Sequence, residues 1–409
     1  MKSAILSVGT ELLFGQVVNT NTAYLSQQLN FLGIDVMYHY TVGDNPQRLK
    51  EMIEMAFEDC DLVITTGGLG PTQDDMTKEI ACEVLGDELI LHQPSLDYLE
   101  DMFRKGGRVM PENNRKQAYM PSRSTVFHND AGTAPGFALE QNGKIIACLP
   151  GPPREMTNMF QKKLKPYLES LSDDCIYYRM IRTFGIGESQ LEMELLPVIN
   201  GQTDPTIATY AKEGESAVRI ASKRKTMEEA QAAVDAMLEE VKKYIGDYIY
   251  SCDDEELVDV VAGKLLDRGI TLSCAESCTG GLFASRMTDI AGISAVFDRG
   301  LVTYSNEAKM QELGVKAETL EEFGAVSEET AREMAEGLHR VSGSDFCISV
   351  TGIAGPGGGT DEKPVGTVFI GAHYKGETHC RKLQIRNISR KYIRHITVMN
   401  MLDVINKLV

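Results

Sequence analysis

Apolar residues follow two rhythms along this chain, and the rhythms alternate. SAILSV (3–8) is a short apolar run closed by Gly9. Over residues 21–32, Leu25, Leu29 and Leu32 recur at helical spacing, and Gly33 ends the run. IDVMYHYTV (34–42) predicts a strand, and residues 46–59 a helix with Pro46 in its first turn. DLVITT (61–66) predicts a buried strand that ends in glycines. This β-α-β-α-β order implies a mostly parallel sheet with right-handed crossovers. Helices around 75–85 and 152–169 follow, with a hairpin over 136–149 turning at Asn142 and Gly143.

The rhythm then changes. IYYRMIRTF (176–184) predicts a strand, GIGESQLEMELLPVI (185–199) a helix, and TIATYAK and SAVRIASK two strands joined at Glu213 and Gly214. Residues 226–244 predict a long amphipathic helix, which completes a small α+β module. The acidic SCDDEE (251–256) reads as a linker, with Asp253 or Asp254 capping the next helix. From 257 the chain is α/β again and ends in a basic helix from about 389. The expected division is 1–170, 171–252 and 253–409, all α/β or α+β. A length of 409 residues agrees with several domains at roughly 100–200 residues each.

No apolar run approaches the ~18–20 residues that span a bilayer. Nine cysteines stand singly, without zinc spacing, which predicts a reducing cytoplasm and no disulfide framework. The net charge of −18 argues against a nucleic-acid coat. It is uneven: residues 1–254 carry −14 and residues 255–409 only −4. Arg104–Arg123 and Cys380–Leu402 run against the trend, with six basic residues each. Such local basic pockets suit small anions.

Two constellations carry candidate chemistry. TTGGLGPTQDDMT (65–77) lies where a parallel strand meets a helix, the edge at which open α/β sheets bind ligands. Gly67, Gly68 and Gly70 allow a sharp turn whose N–H groups can hold a phosphate, with Thr72 in the same turn. Asp74 and Asp75 would repel that phosphate unless a hard cation such as Mg²⁺ intervenes. Asp44, Glu11 and Asn19 fall on the same edge. The competing interpretation is ordinary strand termination and helix capping.

The second constellation is TLSCAESCTGGLFASRM (271–287), with Ser277 between a strand and a helix and Thr279, Gly280 and Gly281 behind it. N–H groups of that helix are an expected oxyanion hole. In GLVTYSNEAKMQELGV (300–315), Tyr304 ends a strand and Lys309 lies one turn into a helix. A desolvated lysine beside a serine can act as its base. Cys274 and Cys278 are competing nucleophiles, and simple helix capping competes for Ser277. SVTGIAGPGGG (349–359) is dense in glycine, and Arg390 and Arg394 share a helix face beyond it. Together these suit a nucleotide phosphate.

GTELLFG (9–15), Asn19 to Asn21, VGDN (42–45), TTGGLGPTQDDMT, NNRKQA (113–118), NDAGTAPGF (129–137) and LPGPPREM (149–156) resemble the CinA family. Its first domain is related to molybdopterin-binding proteins. The resemblance implies metal-dependent hydrolysis of ADP-ribose, with Mg, Mn or Co. It implies Asp44 and Asp75 as functional acids, Asp74 and Asp75 at the metal, and the glycine turn, Thr72, Asn19 and Glu11 at the substrate. AESCTGG, DIAGISAVFDRGLVTYSNEAK, GAVSEE and SVTGIAGPGGG resemble the family's C-terminal domain, whose stand-alone form is a nicotinamide-nucleotide amidase that needs no cofactor. This implies Ser277 as nucleophile, Lys309 as base and Tyr304 as partner. Thr279, Gly280, Gly281, Thr351, Gly352 and Arg390 are implied at nicotinamide mononucleotide. GIGESQLE (185–192) resembles the connecting region, KH-like in its order of elements and read as a spacer. A homodimer without direct nucleic-acid or membrane contact is the implied state. Two alternatives stay open: a first domain that binds a nucleotide or pterin without turnover, and a scaffold for competence or recombination.

Overall fold

The computed structural model describes residues 1–171 and 175–409. The chain divides into two compact units, residues 1–176 with 223–230, and residues 177–222 with 231–409.

The first unit begins with β1 (Lys2–Val8), α1 (Thr10–Leu13), α2 (Thr20–Phe31), β2 (Asp35–Val42), α3 (Pro46–Asp59) and β3 (Leu62–Thr66). It continues with α4 (Thr77–Val84), β4 (Leu89–Leu91), α5 (Gln93–Lys105), β5 (Tyr119–Pro121), β6 (Thr125–Phe127), β7 (Gly136–Gln141), β8 (Lys144–Leu149), α6 (Pro153–Met159) and α7 (Lys165–Ser170). The sheet order is β2-β1-β3-β8-β7-β6. Its first four strands are parallel, and β7 and β6 are antiparallel additions. Alternation in the buried strands explains two covered faces. Ala4, Leu6 and Val63 pack with Ile53 and Ile80 on one face. Ile5, Leu62 and Ile64 pack with Leu25, Leu29 and Phe160 on the other. The 136–149 hairpin turns at Asn142 and Gly143, both at positive φ, as a type I′ turn requires.

The second unit holds most of the middle module: β9 (Cys175–Thr183), α8 (Glu188–Ile199), β10 (Thr206–Lys212), β11 (Glu215–Arg224), α9 (Met227–Ile245) and β12 (Ile249–Ser251). Its sheet order is β10-β11-β9-β12. The acidic segment after it is not a free linker and does not cap the next helix. Asp253 and Asp254 pair with Arg179 and Arg182 at 2.6 Å each. Arg182 is buried and also holds Glu215 at 2.9 Å, so these acids neutralise charges on β9.

Next come α10 (Leu257–Arg268), β13 (Leu272–Glu276), α11 (Leu282–Thr288), β14 (Phe297–Val302), α12 (Asn306–Leu313), α13 (Ala317–Glu322) and α14 (Glu328–Ser342). The chain closes with β15 (Phe346–Gly352), β16 (Thr367–Tyr374), β17 (Glu377–Gln384) and α15 (Arg390–Leu408). Strands run β14-β13-β15-β16-β17, with the first three parallel and the last two antiparallel. Among the described residues no helix is long and apolar enough to cross a membrane.

Candidate functional site

Three parallel strands end side by side in the last part of the chain, and their carboxyl ends hold the most chemistry. Ser277 follows β13, Thr303 follows β14, and Thr351 and Gly352 end β15. The Ser277 N–H donates to the Val350 carbonyl at 3.1 Å and the Thr303 N–H to that of Glu276 at 2.9 Å. These bonds fix the serine between its neighbours.

Lys309 is brought to it by α12, whose start is capped by the Ser305 hydroxyl on the Ala308 N–H at 3.0 Å. Its side chain is not the surface lysine that a helix NEAKMQEL suggests: the residue is 1% exposed. Its Nζ lies 3.2 Å from Ser277 Oγ, 2.9 Å from the Thr303 carbonyl and 3.3 Å from that of Tyr304. Burial lowers its ammonium below the ordinary lysine range. A neutral lysine has two N–H bonds and one lone pair. As an ammonium, Nζ donates to both carbonyls and to Ser277 Oγ; as a neutral amine, it would keep its two N–H bonds for the carbonyls and turn its lone pair to the serine hydroxyl.

Tyr304 is exposed, and its hydroxyl accepts from Arg390 Nη2 at 3.0 Å. Arg390 Nη1 also donates to the Gly355 carbonyl at 2.8 Å, so one guanidinium links the tyrosine to the glycine loop. Arg394 donates to the Thr279 carbonyl through Nε at 3.2 Å and Nη2 at 2.5 Å. Gly280 and Gly281 both have positive φ, which lets the turn reverse behind the serine.

One expectation changes here. The first N–H groups of α11 are not free for an oxyanion. Phe283 and Ala284 donate theirs to the Glu276 carboxylate at 3.1 and 2.9 Å. The Thr351 hydroxyl donates its proton to the Ala325 carbonyl at 2.6 Å, which leaves it as an acceptor only. Gly352 is held close by packing: a Cβ there would stand 2.7 Å from Val368. Cys278 and Cys274 are buried, and burial pushes the Cys278 thiol up to about 12 and Cys274 well above its ordinary value. Neither is a thiolate nucleophile.

The first unit gathers its residues at the carboxyl edge of β2, β1 and β3. Gly67 and Gly68 have positive φ and no room for side chains, since a Cβ would meet the Val8 carbonyl at 2.1 Å and Thr77 Oγ1 at 2.1 Å. Gly70 lies against Asp75 in the same way, with Oδ2 at 2.4 Å from the built Cβ. Thr72 Oγ1 bonds both Asp74 Oδ1 and Asp75 Oδ2, and its N–H donates to the latter at 2.9 Å. The Thr72 bond, chiefly, lowers the Asp74 carboxyl below its ordinary value.

Other expected site residues on this edge have partners within the fold. Asp44 accepts from the Thr10 N–H and hydroxyl at 3.0 and 2.7 Å, which holds α1 on β2. Asn19 caps α2 through the Thr22 N–H at 3.1 Å and donates to Ser7 at 2.8 Å. Glu11 is exposed and folds back over Gly9.

Sequence reasoning missed several residues here. Lys116, in the basic NNRKQA segment, donates to the Thr72 carbonyl at 3.2 Å and to that of Asp75. Buried Lys78 donates to the Lys116 carbonyl at 2.7 Å. Asn21 donates to Thr66 Oγ1 at 2.9 Å and the Gly151 carbonyl at 2.7 Å. The basic run and the Asn19–Asn21 element were the available signals. Among the described residues no group of three or more His, Cys, Asp or Glu is arranged to hold a metal.

A parallel sheet with a glycine turn, a small α+β module and a mixed sheet bearing a serine–lysine pair define a multidomain α/β protein. Residues 4–170 match the family described as probable molybdopterin binding domain. Residues 178–251 match the damage-inducible protein CinA KH domain, and residues 254–409 the CinA C-terminal domain. A putative competence-damage inducible protein of Acetivibrio thermocellus is 50% identical over 409 residues, covering 100% of this chain and 99% of its own. A CinA-like protein of Dictyoglomus turgidum is 48% identical over 407 residues, covering 100% and 99%. The chain belongs to the CinA family. The solved competence/damage inducible protein CihA of Agrobacterium tumefaciens is 45% identical, covers 38% of this chain and 96% of its own, and has a TM-score of 0.36.

Proposed function

We propose that the last part of the chain is an amidohydrolase acting on the carboxamide of nicotinamide mononucleotide. The observation that carries this reading is the buried Lys309 amine 3.2 Å from Ser277 Oγ, with its other hydrogens directed to carbonyls. Ser277 Oγ attacks the carboxamide carbon while its proton passes to Lys309 Nζ. The tetrahedral intermediate collapses as Lys309 returns that proton to the leaving nitrogen. Ammonia departs and an acyl-serine remains. Water, deprotonated by Lys309, then hydrolyses the ester, releasing nicotinate mononucleotide and restoring the serine. Arg390 and Arg394 supply positive charge for the phosphate.

Ser277→Ala and Lys309→Met are each expected to lower ammonia release by on the order of 10³-fold, with an unchanged circular dichroism spectrum. Full turnover in folded Ser277→Ala sinks the assignment.

A second reading concerns the first unit, and its support is one hydroxyl bonded to two aspartates. The Thr72 hydroxyl has one proton and cannot serve both Asp74 and Asp75 at once. Two carboxylate oxygens meeting there fit a divalent cation, with water and phosphate oxygens completing its shell. Such an ion would act as a Lewis acid on a pyrophosphate such as that of ADP-ribose. Gly67, Gly68 and Gly70 would approach the phosphate, and Lys116 would add a positive charge. Asp75→Ala is expected to abolish AMP formation from ADP-ribose with Mg²⁺, Mn²⁺ or Co²⁺. Unchanged AMP formation in that variant removes Asp75 from the reaction.

A further inference from the structure

The hairpin between β10 and β11 does more than close a sheet. Its turn at Glu213 and Gly214 meets the helix that carries the site arginines. Gly214 has φ +88, and a Cβ there would stand 2.5 Å from Ile396 Cδ1 and 3.8 Å from His395 Nε2. Glycine suits both the positive φ and the close approach. The Glu213 carbonyl lies 3.1 Å from His395 Nε2. A carbonyl can only accept, so Nε2 carries the imidazole proton and Nδ1 presents its lone pair. Arg286 Nη2 donates to that lone pair at 2.5 Å, and Arg286 Nη1 reaches Met399 Sδ at 3.4 Å. Both imidazole nitrogens are therefore committed, one to the middle module and one to α11.

These contacts sit next to the reaction centre along two helices. α11 follows the Ser277–Gly281 turn, and Arg286 is on it. α15 carries His395 directly after Arg394, which grips the Thr279 carbonyl, and one turn after Arg390, which grips Tyr304 and Gly355. A helix is a rigid rod over one turn, so a shift at His395 moves Arg394 and Arg390 with it.

We propose that the middle module is a positioning element for the amidase site. Its hairpin tip, through His395 and Arg286, sets the register of α15 against α11, and so places the arginines over the nucleophile turn. This rests on the amidohydrolase reading above. His395 is a positioning residue and touches no reacting atom.

The test uses the full chain with His395→Ala, His395→Gln and Gly214→Val. In His395→Ala and Gly214→Val the KM for nicotinamide mononucleotide is expected to rise about fivefold, the factor lost with one net hydrogen bond, while kcat changes little. His395→Gln is expected to recover most of the loss, since its amide can accept from Arg286 and donate to Glu213. Hydrogen exchange followed by mass spectrometry gives a second readout, and amides of residues 277–284 should exchange faster in His395→Ala and Gly214→Val. Unchanged KM and unchanged exchange in both variants overturn the proposal. An unsubstituted chain that releases no ammonia overturns the amidohydrolase reading instead, and exchange then decides the clamp by itself.

Discussion

A lysine placed where water cannot reach it holds its charge at a cost, and among the described residues two lysines are buried. Lys309 is beside the serine, and Lys78 is in the first unit. For Lys78 burial brings the ammonium down from 10.5 to about 8. Between those values the unfolded chain holds a proton that the folded chain lacks. Stability therefore rises as pH climbs from about 8 towards 10.5, and the cost of burying the charge is fully present below about 8. The span amounts to on the order of 3 kcal/mol. Lys78→Met is expected to flatten that slope, read as denaturant midpoints at about pH 7 and about pH 10. A slope equal to that of the unsubstituted chain would place the charge cost elsewhere. The same physics lowers the Lys309 ammonium, the direction that its proposed role requires, because a base must be uncharged to accept a proton.

At the scale of elements, the start of α11 is the case where sequence and structure part most usefully. A serine and two glycines ahead of a helix suggest that the helix N–H groups serve the serine. They serve Glu276 instead, a buried carboxylate one residue earlier. Glu276→Gln keeps the size but turns one acceptor into a donor that faces an N–H group. It is expected to cost about 1–3 kcal/mol, measured by denaturant unfolding. Elsewhere the sequence pattern was enough: α3 spans 46–59, with Pro46 in its first turn as expected, and Lys309 lies in the helix expected after Tyr304. β17 was not legible, because ETHCRKLQ is polar and only edge pairing with β16 makes it a strand. α5 was hidden in the same way, its burial confined to Ser95, Leu96 and Leu99. In the site, residue types announced Ser277 and the aspartates. Local spacing showed neither the burial of Lys309 nor the Arg286–His395–Glu213 chain, because both depend on elements far apart in sequence.

Across the whole molecule, charge and thiols tell one story about environment. The acid is concentrated in the first 254 residues, and even the acidic stretch at 253–254 is spent on buried or half-buried arginines. All nine cysteines are free, and six are buried. Burial raises the thiol of eight of them above its ordinary value. Cys278, beside the nucleophile, is among these. A thiolate is what peroxides and alkylating agents attack. The proposed reaction centre, a hydroxyl and an amine with buried protonated thiols beside it, offers those agents no thiolate. Ammonia release should therefore survive iodoacetamide treatment that silences a cysteine amidase. On that proposal, the chain's chemistry would run on atoms that oxidants do not reach first.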